Sequence, residues 1–176
     1  MDEVRGRILH GHPFATPAEL REPARQLRGR LVAPVTVWTA GGPEERTGLT
    51  MSSVMVAEGD PASVFGLVGE TSDLWEVMRD SEAFVVHVLD EPHRQLADRF
   101  AGLRPSPGGL FRNLAVEDTP WGPVLTDLPS RAYCRLRASW ESGYHLLVAG
   151  SIEQVEIHDL ERPLAYHRGR YRSLEG

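Results

Sequence analysis

The chain has 176 residues, a formal net charge of −6, 41% hydrophobic and 25% charged residues, and a single cysteine. This fits one domain with a sizeable core, and the acidic balance excludes a general nucleic-acid binder, since no basic excess is left to neutralise phosphates. The basic residues are all arginine, which excludes a Schiff-base lysine and a Walker-type phosphate lysine.

No run approaches the roughly 20 apolar residues of a membrane span, and the N-terminus lacks the apolar core of a signal peptide. With Cys134 as the one cysteine, no intrachain disulfide can form, which fits a reducing cytoplasm. Cys134 falls in a strand-like run and reads as a small buried thiol.

Residues 1–29 read as a polar, arginine-rich N-terminal arm, with a short helix near Pro17 to Leu27. Residues 30–176 read as the folded domain. Leu31 to Thr39 reads as a strand, in which Pro34 marks an edge or a bulge because it has no N–H to donate. Gly48 to Ala57 and Ser63 to Val68 read as further strands. At Thr71-Ser72-Asp73 a helix begins. The hydroxyls and Asp73 compete for the N-cap there, and Asp73 with Glu76 has capping-box spacing. Ala83 to Leu89 is a strand, Pro92 to Ala101 a helix, and Leu103 to Gly122 a Pro/Gly-rich surface loop. Ala132 to Glu141 and His145 to His158 are two long strands around Ser142-Gly143-Tyr144. Strands dominate and helices are short, so the fold class is mainly β, a closed or nearly closed antiparallel barrel.

Three places could carry chemistry. Thr50, Ser52 and Ser53 follow Gly48 in a run of small hydroxyl residues. They could hold an anion or the polar edge of a flat heterocycle, or simply line a ladder. Thr71 and Ser72 open a helix directly after a buried strand, which suits an anion or an ordinary cap. His145, at a strand start beside a turn, could orient a substrate, donate a proton, or lie idle at the surface. His10 and His12 lack the further ligands a zinc site needs, so no metal is expected. No G-x-G-x-x-G, G-x-S-x-G, H-E-x-x-H or C-x-x-C motif is present.

The order of these features resembles the flavin reductase family, the FMN-binding split barrels. The resemblance spans about Arg30 to Tyr171. It rests on Pro34-Val35-Thr36-Val37-Trp38-Thr39, Gly48-Leu49-Thr50-Met51-Ser52-Ser53, Phe84-Val85-Val86-His87-Val88-Leu89, Leu96-Ala97-Asp98-Arg99-Phe100-Ala101-Gly102, Gly143-Tyr144-His145 and the closing Pro163 to Tyr171. It implies a six-stranded antiparallel Greek-key split barrel that works as a homodimer, with FMN bound near the subunit interface. The implied activity is NAD(P)H-dependent reduction of FMN, with FAD possible, using NADH or NADPH and serving a partner flavin-dependent monooxygenase. The alternatives are an FMN-retaining electron-transfer flavoprotein and a non-catalytic flavin-binding barrel.

By the same resemblance, Gly48, Thr50, Met51, Ser52 and Ser53 lie along the flavin. Val68 and Gly69 lead to Thr71 and Ser72 at the phosphate, Phe100 helps wall the ring, and His145 is the catalytic residue by the nicotinamide or the flavin edge. Tyr144 stands where the family commonly has aspartate, and His87 where it has asparagine. Glu70 and Leu74 stand where a basic residue and a second hydroxyl are common. Glu70 beside a phosphate would repel it, which suits FMN that binds weakly, FMN that exchanges as a substrate, or another flavin in its place.

Overall fold

In the computed structural model, residues 23–174 are described. Most of the N-terminal arm, with His10 and His12, lies outside them. The described part opens with helix α1 (Pro23–Arg28).

Strands β1 (Ala33–Pro34) and β2 (Thr36–Ala40) replace the single strand read from Leu31 to Thr39. The break is at Val35, just after the proline. Val35 N–H donates to Leu164 and its carbonyl accepts from Leu89 N–H, so the backbone turns from one sheet to another there. β1 lies at the edge of a three-stranded sheet with β11 (Leu164–His167) and β12 (Arg170–Ser173). That edge position is the one a proline tolerates.

The main sheet has seven strands in the order β3-β2-β6-β9-β10-β5-β4, every neighbour antiparallel. They are β3 (Thr47–Met51), β4 (Val54–Ala57), β5 (Ser63–Val68), β6 (Ala83–Val88), β9 (Arg131–Ser142) and β10 (His145–Glu156), with β2. The two edges, β3 and β4, are consecutive in the chain, with only Ser52 and Ser53 between them. The run read as one strand from Gly48 to Ala57 is thus a bent stave. Its first half pairs with β2 and its second half with β5, so the sheet curls round on itself. Counted this way the barrel has six staves, split at the two serines.

The barrel fills with Trp38, Phe84, Met51, Val64, Val68, Val86, Cys134, Leu146 and Val148. Trp38 and Phe84 stack with centroids 4.8 Å apart and planes 10° off parallel. Gly66 makes room for this pair, since a Cβ there would lie 2.7 Å from the Trp38 ring. Leu74 and Met78 of helix α2 (Asp73–Ser81) close one end. Burial pushes the Cys134 thiol up to about 12, with the Glu153 charge adding to it, so it is the inert buried thiol expected.

A second cluster of Val35, Val37, Leu89, Ala97, Phe100, Leu125, Leu128 and Leu164 joins the barrel to the three-stranded sheet and to helix α3 (Arg94–Phe100). A 3₁₀ turn, Glu91–His93, precedes α3 and is capped by Asp90. Part of the expected surface loop from Leu103 to Gly122 is ordered as a hairpin of β7 (Val116–Thr119) and β8 (Gly122–Leu125). All four residues of β8 are buried. Thr39 Oγ1 donates to Pro123 O at 2.6 Å, and Leu125 N–H donates to His87 Nε2 at 3.1 Å.

Residues paired across an antiparallel ladder share a face. Met55 pairs with Phe65, Phe65 with Ala149, Leu67 with Leu147, and Leu147 with Trp140. The outer face of β4, β5, β10 and β9 is therefore apolar, with Met55 64% and Trp140 52% exposed.

Candidate functional site

The partner switch in the bent stave organises the site. At Ser52 and Ser53 the chain leaves β2 and takes up β5. Leu67 N–H donates to Ser53 O at 3.3 Å, which sets Ser53 beside the last residues of β5. β5 ends at Val68 and runs into the turn Gly69-Glu70-Thr71-Ser72, closed by Ser72 N–H to Gly69 O at 3.1 Å. On the other side of β5, Val68 pairs with Leu146, so one further step of register puts His145 next to Gly69. Three segments distant in sequence thus meet at one end of the barrel: the serine pair, the turn before α2, and His145.

Ser72 is the N-cap of α2. Its Oγ accepts from Trp75 N–H at 3.3 Å and donates to Gly69 O at 2.7 Å. The competition for the cap is settled by the serine, and Asp73 is the first helical residue instead. Because the Ser72 proton is committed to Gly69, an anion at this turn would be held by backbone N–H groups and the other hydroxyls. Thr71 is exposed, as is Glu70. Leu74 is only 1% exposed and belongs to the barrel core. It therefore does not face the turn's solvent side, where a second hydroxyl would reach a phosphate. Tyr144 is 86% exposed at the tip of the β9–β10 hairpin.

The Thr50 hydroxyl is also committed, donating to Ala97 O of α3 at 2.6 Å. It ties β3 to α3. Gly48 serves the same junction, since a Cβ at this position would lie 2.7 Å from the Phe100 ring. Phe100 is 2% exposed and packs edge-on to Phe111 at 5.3 Å. It backs β3 from the core side. Met51 and Val68 are likewise buried in the core, so their part is to hold the backbone on either side of the serines.

A cavity of about 420 Å³ opens beside the split. Thr50 and Ser52 form one wall, Asp98 and Ala101 of α3 another, and Tyr166 and Tyr171 of the β11–β12 hairpin a third. It does not extend to Ser53, Thr71, Ser72 or His145. Tyr166 and Tyr171 meet edge-on at 5.6 Å. Burial raises the Tyr171 phenol above its usual range, and the Asp98 carboxylate beside it adds to the rise. Tyr171 therefore stays neutral at physiological pH, as an aromatic wall with a polar tip. Hydroxyls and backbone on one side and aromatic and aliphatic walls on the other suit a flat heterocycle with one polar edge, so the residues fit a flavin. Reading the sequence did not single out Asp98, Tyr166 or Tyr171 for the site. The signal available was their place within two segments of the resemblance.

His87 serves the framework. It is fully buried, with Nδ1 3.1 Å from Val37 O and Nε2 accepting from Leu125 N–H. The ring is held as the neutral tautomer with its proton on Nδ1. Burial lowers its pKa to about 4, and the charge of Arg131 pushes the same way. Among the described residues no group of histidine, cysteine and carboxylate side chains could hold a metal ion, and no helix is long and apolar enough to cross a membrane.

Comparisons with known proteins agree with this architecture. The reductase component of 4-hydroxyphenylacetate 3-monooxygenase from Thermus thermophilus is 32% identical over 155 residues, 88% of this chain and 97% of that protein. The NADH-dependent FMN reductase AsuE2 of Streptomyces nodosus subsp. asukaensis is 31% identical over 156 residues, 86% of this chain and 83% of that one. Among solved structures, the NADH:FAD oxidoreductase SgcE6 of Streptomyces globisporus C-1027 superposes with a TM-score of 0.79 at 23% identity, covering 92% of this chain and all of that one (100%). The profile of the family described as "Flavin reductase like domain" matches residues 28–175. The chain belongs to the flavin reductase-like domain family.

Proposed function

We propose that this chain is an NAD(P)H:flavin oxidoreductase that reduces FMN and supplies it to a partner flavin-dependent monooxygenase. The observation that carries the reading is the split in the barrel. It gathers Ser52, Ser53, the Gly69–Ser72 turn and His145 at one end, next to a cavity that fits a flavin. Family membership and the activities of the two relatives support it.

In this reading Gly48, Thr50, Met51 and Ser52 present the edge of β3 to the flavin ring. Ser53, Val68, Gly69, Thr71 and Ser72 receive the ribityl chain and phosphate. A bound flavin supplies the two-electron redox chemistry, so the chain needs no nucleophile. Its own task is positional: backbone N–H groups at the split would meet the electron-rich edge of a bound ring, and the bent stave that carries them is braced. Thr50 bonded to Ala97 and Phe100 packed on Gly48 provide that bracing. His145 orients the nicotinamide so that its reactive carbon approaches the flavin. The exposed turn without a basic side chain, and with Glu70 in it, favours a flavin that exchanges as substrate. FAD is accommodated if its second nucleotide lies outside the split.

The apolar outer face of β4, β5, β10 and β9 supports a homodimer, with the flavin near the interface. A nicotinamide-dependent reductase with a free buried thiol suits the cytoplasm. The test is steady-state oxidation of NADH with free FMN by the wild type and by His145→Ala. The variant should lose about tenfold or more in turnover while its Kd for FMN stays within twofold. Unchanged turnover would remove His145 from the site, and no NADH oxidation by the wild type would overturn the activity.

A further inference from the structure

The cavity beside the split carries a charge opposite to that of the chain. Arg28 of α1, Arg94 of α3 and Arg170 of β12 all line it, against the single carboxylate of Asp98. The chain as a whole is at −6. Asp98 is itself engaged, facing Tyr171 and lying 3.6 Å from the Arg104 guanidinium. Arg94 makes one ion pair, Nη2 to Glu91 Oε1 at 3.2 Å, and Glu91 is shared with Arg162 at 2.9 Å. Arg94 Nε is buried and has no hydrogen-bond partner among the described residues. A buried donor left without an acceptor is costly and is the kind of group that a ligand oxygen satisfies.

These arginines come from three separate elements and meet at one opening, whose other wall is Thr50 and Ser52. A cationic cleft in an anionic protein focuses the field on that opening and selects for multiply charged ligands. Arginine forks match phosphate oxygens in pairs. The monophosphate of FMN is already assigned to the Gly69–Ser72 turn, which the cavity does not reach. The arginines therefore address a different phosphate group.

Resting on the proposed reductase reading, we infer that Arg28, Arg94 and Arg170 form a subsite for the pyrophosphate of a dinucleotide whose reactive ring is at the split. Both NAD(P)H and FAD carry that group, and FMN and reduced nicotinamide mononucleotide lack it.

The test uses the full chain and its Arg28→Gln/Arg94→Gln/Arg170→Gln variant, checked for fold by circular dichroism. Arg28→Gln/Arg170→Gln, at two exposed positions, serves as the milder form should the triple variant not fold. Calorimetry with ADP needs no activity, so it separates this inference from the reductase reading. ADP should bind the wild type, and the variants should bind it at least tenfold more weakly. In activity assays the preference for NADH over reduced nicotinamide mononucleotide should fall at least tenfold if the pyrophosphate is that of the nicotinamide donor. The Kd ratio of FAD to FMN should shift by the same factor if it is that of FAD. ADP binding that is absent from the wild type, or equal in wild type and variants, would overturn the subsite. So would a loss of equal size for dinucleotides and mononucleotides.

Discussion

His87 gives this fold a built-in dependence on pH. Its ring is fully buried between Val37 O and Leu125 N–H, and both bonds require the neutral form. Protonation would turn the acceptor Nε2 into a donor aimed at another donor. The folded pKa is about 4, against 6.5 in the unfolded chain. Between these values the unfolded state holds the extra proton, so stability falls as pH falls through the window. The contribution is complete above pH 6.5 and is lost toward pH 4. At about 1.4 kcal/mol per pKa unit, the loss from pH 7.5 to pH 4.5 is about 2.5 kcal/mol. His87→Asn removes the titration. Its amide can still donate to Val37 O but cannot reach Leu125, so it should cost about 1–3 kcal/mol at pH 7.5, where the wild-type ring is neutral. Urea unfolding of both proteins at four pH values, followed by tryptophan fluorescence, isolates the residue, since every other group titrates in both. The gap between them should close by about 2.5 kcal/mol from pH 7.5 to 4.5. Parallel profiles would show that His87 is hydrated or already protonated in the fold, and would refute the assignment.

Two further outcomes test the bracing of the split. Gly48→Ala places a methyl 2.7 Å from the Phe100 ring and should destabilise by about 1–3 kcal/mol, with partial recovery in Gly48→Ala/Phe100→Leu; a neutral Gly48→Ala in thermal unfolding would mean that α3 is not pressed against β3. Ser72→Ala removes the cap of α2 and should lower stability by about 1 kcal/mol, whereas Ser53→Ala should leave the melting temperature unchanged and weaken FMN binding several-fold. Equal effects of the two changes on both readouts would contradict the separate roles given to these serines.

Much of the fold was legible because its signals are local. The run of branched residues from Ala83 to Leu89, the hydroxyl start of α2 and the Gly143 hairpin each state their structure within a few residues. What the sequence concealed depends on distant partners. Pro34 announced an edge, but the break at Val35 is set by hydrogen bonds to Leu89 and Leu164. The β7–β8 hairpin was missed because Val116-Glu117-Asp118-Thr119 carries one apolar residue and Pro123 interrupts the next strand. Its order comes from Thr39 and His87, far away in the chain. At the site, the hydroxyl run was visible, but not that Thr50 and Ser72 spend their protons on the framework. The tyrosine wall was not legible either, since Tyr166 and Tyr171 reach the cavity only through the pairing of β11 with β12.

In the proposed function the split barrel holds a flavin for reduction by a nicotinamide. The most direct measurement is an anaerobic titration of the purified protein with FMN and then NADH, following flavin absorbance. Saturable FMN binding and complete bleaching at a catalytic rate on addition of NADH are expected. Binding without bleaching would contradict the reductase reading and favour a flavin carrier. No binding would mean that Glu70 and the turn beside it have closed the site to flavin.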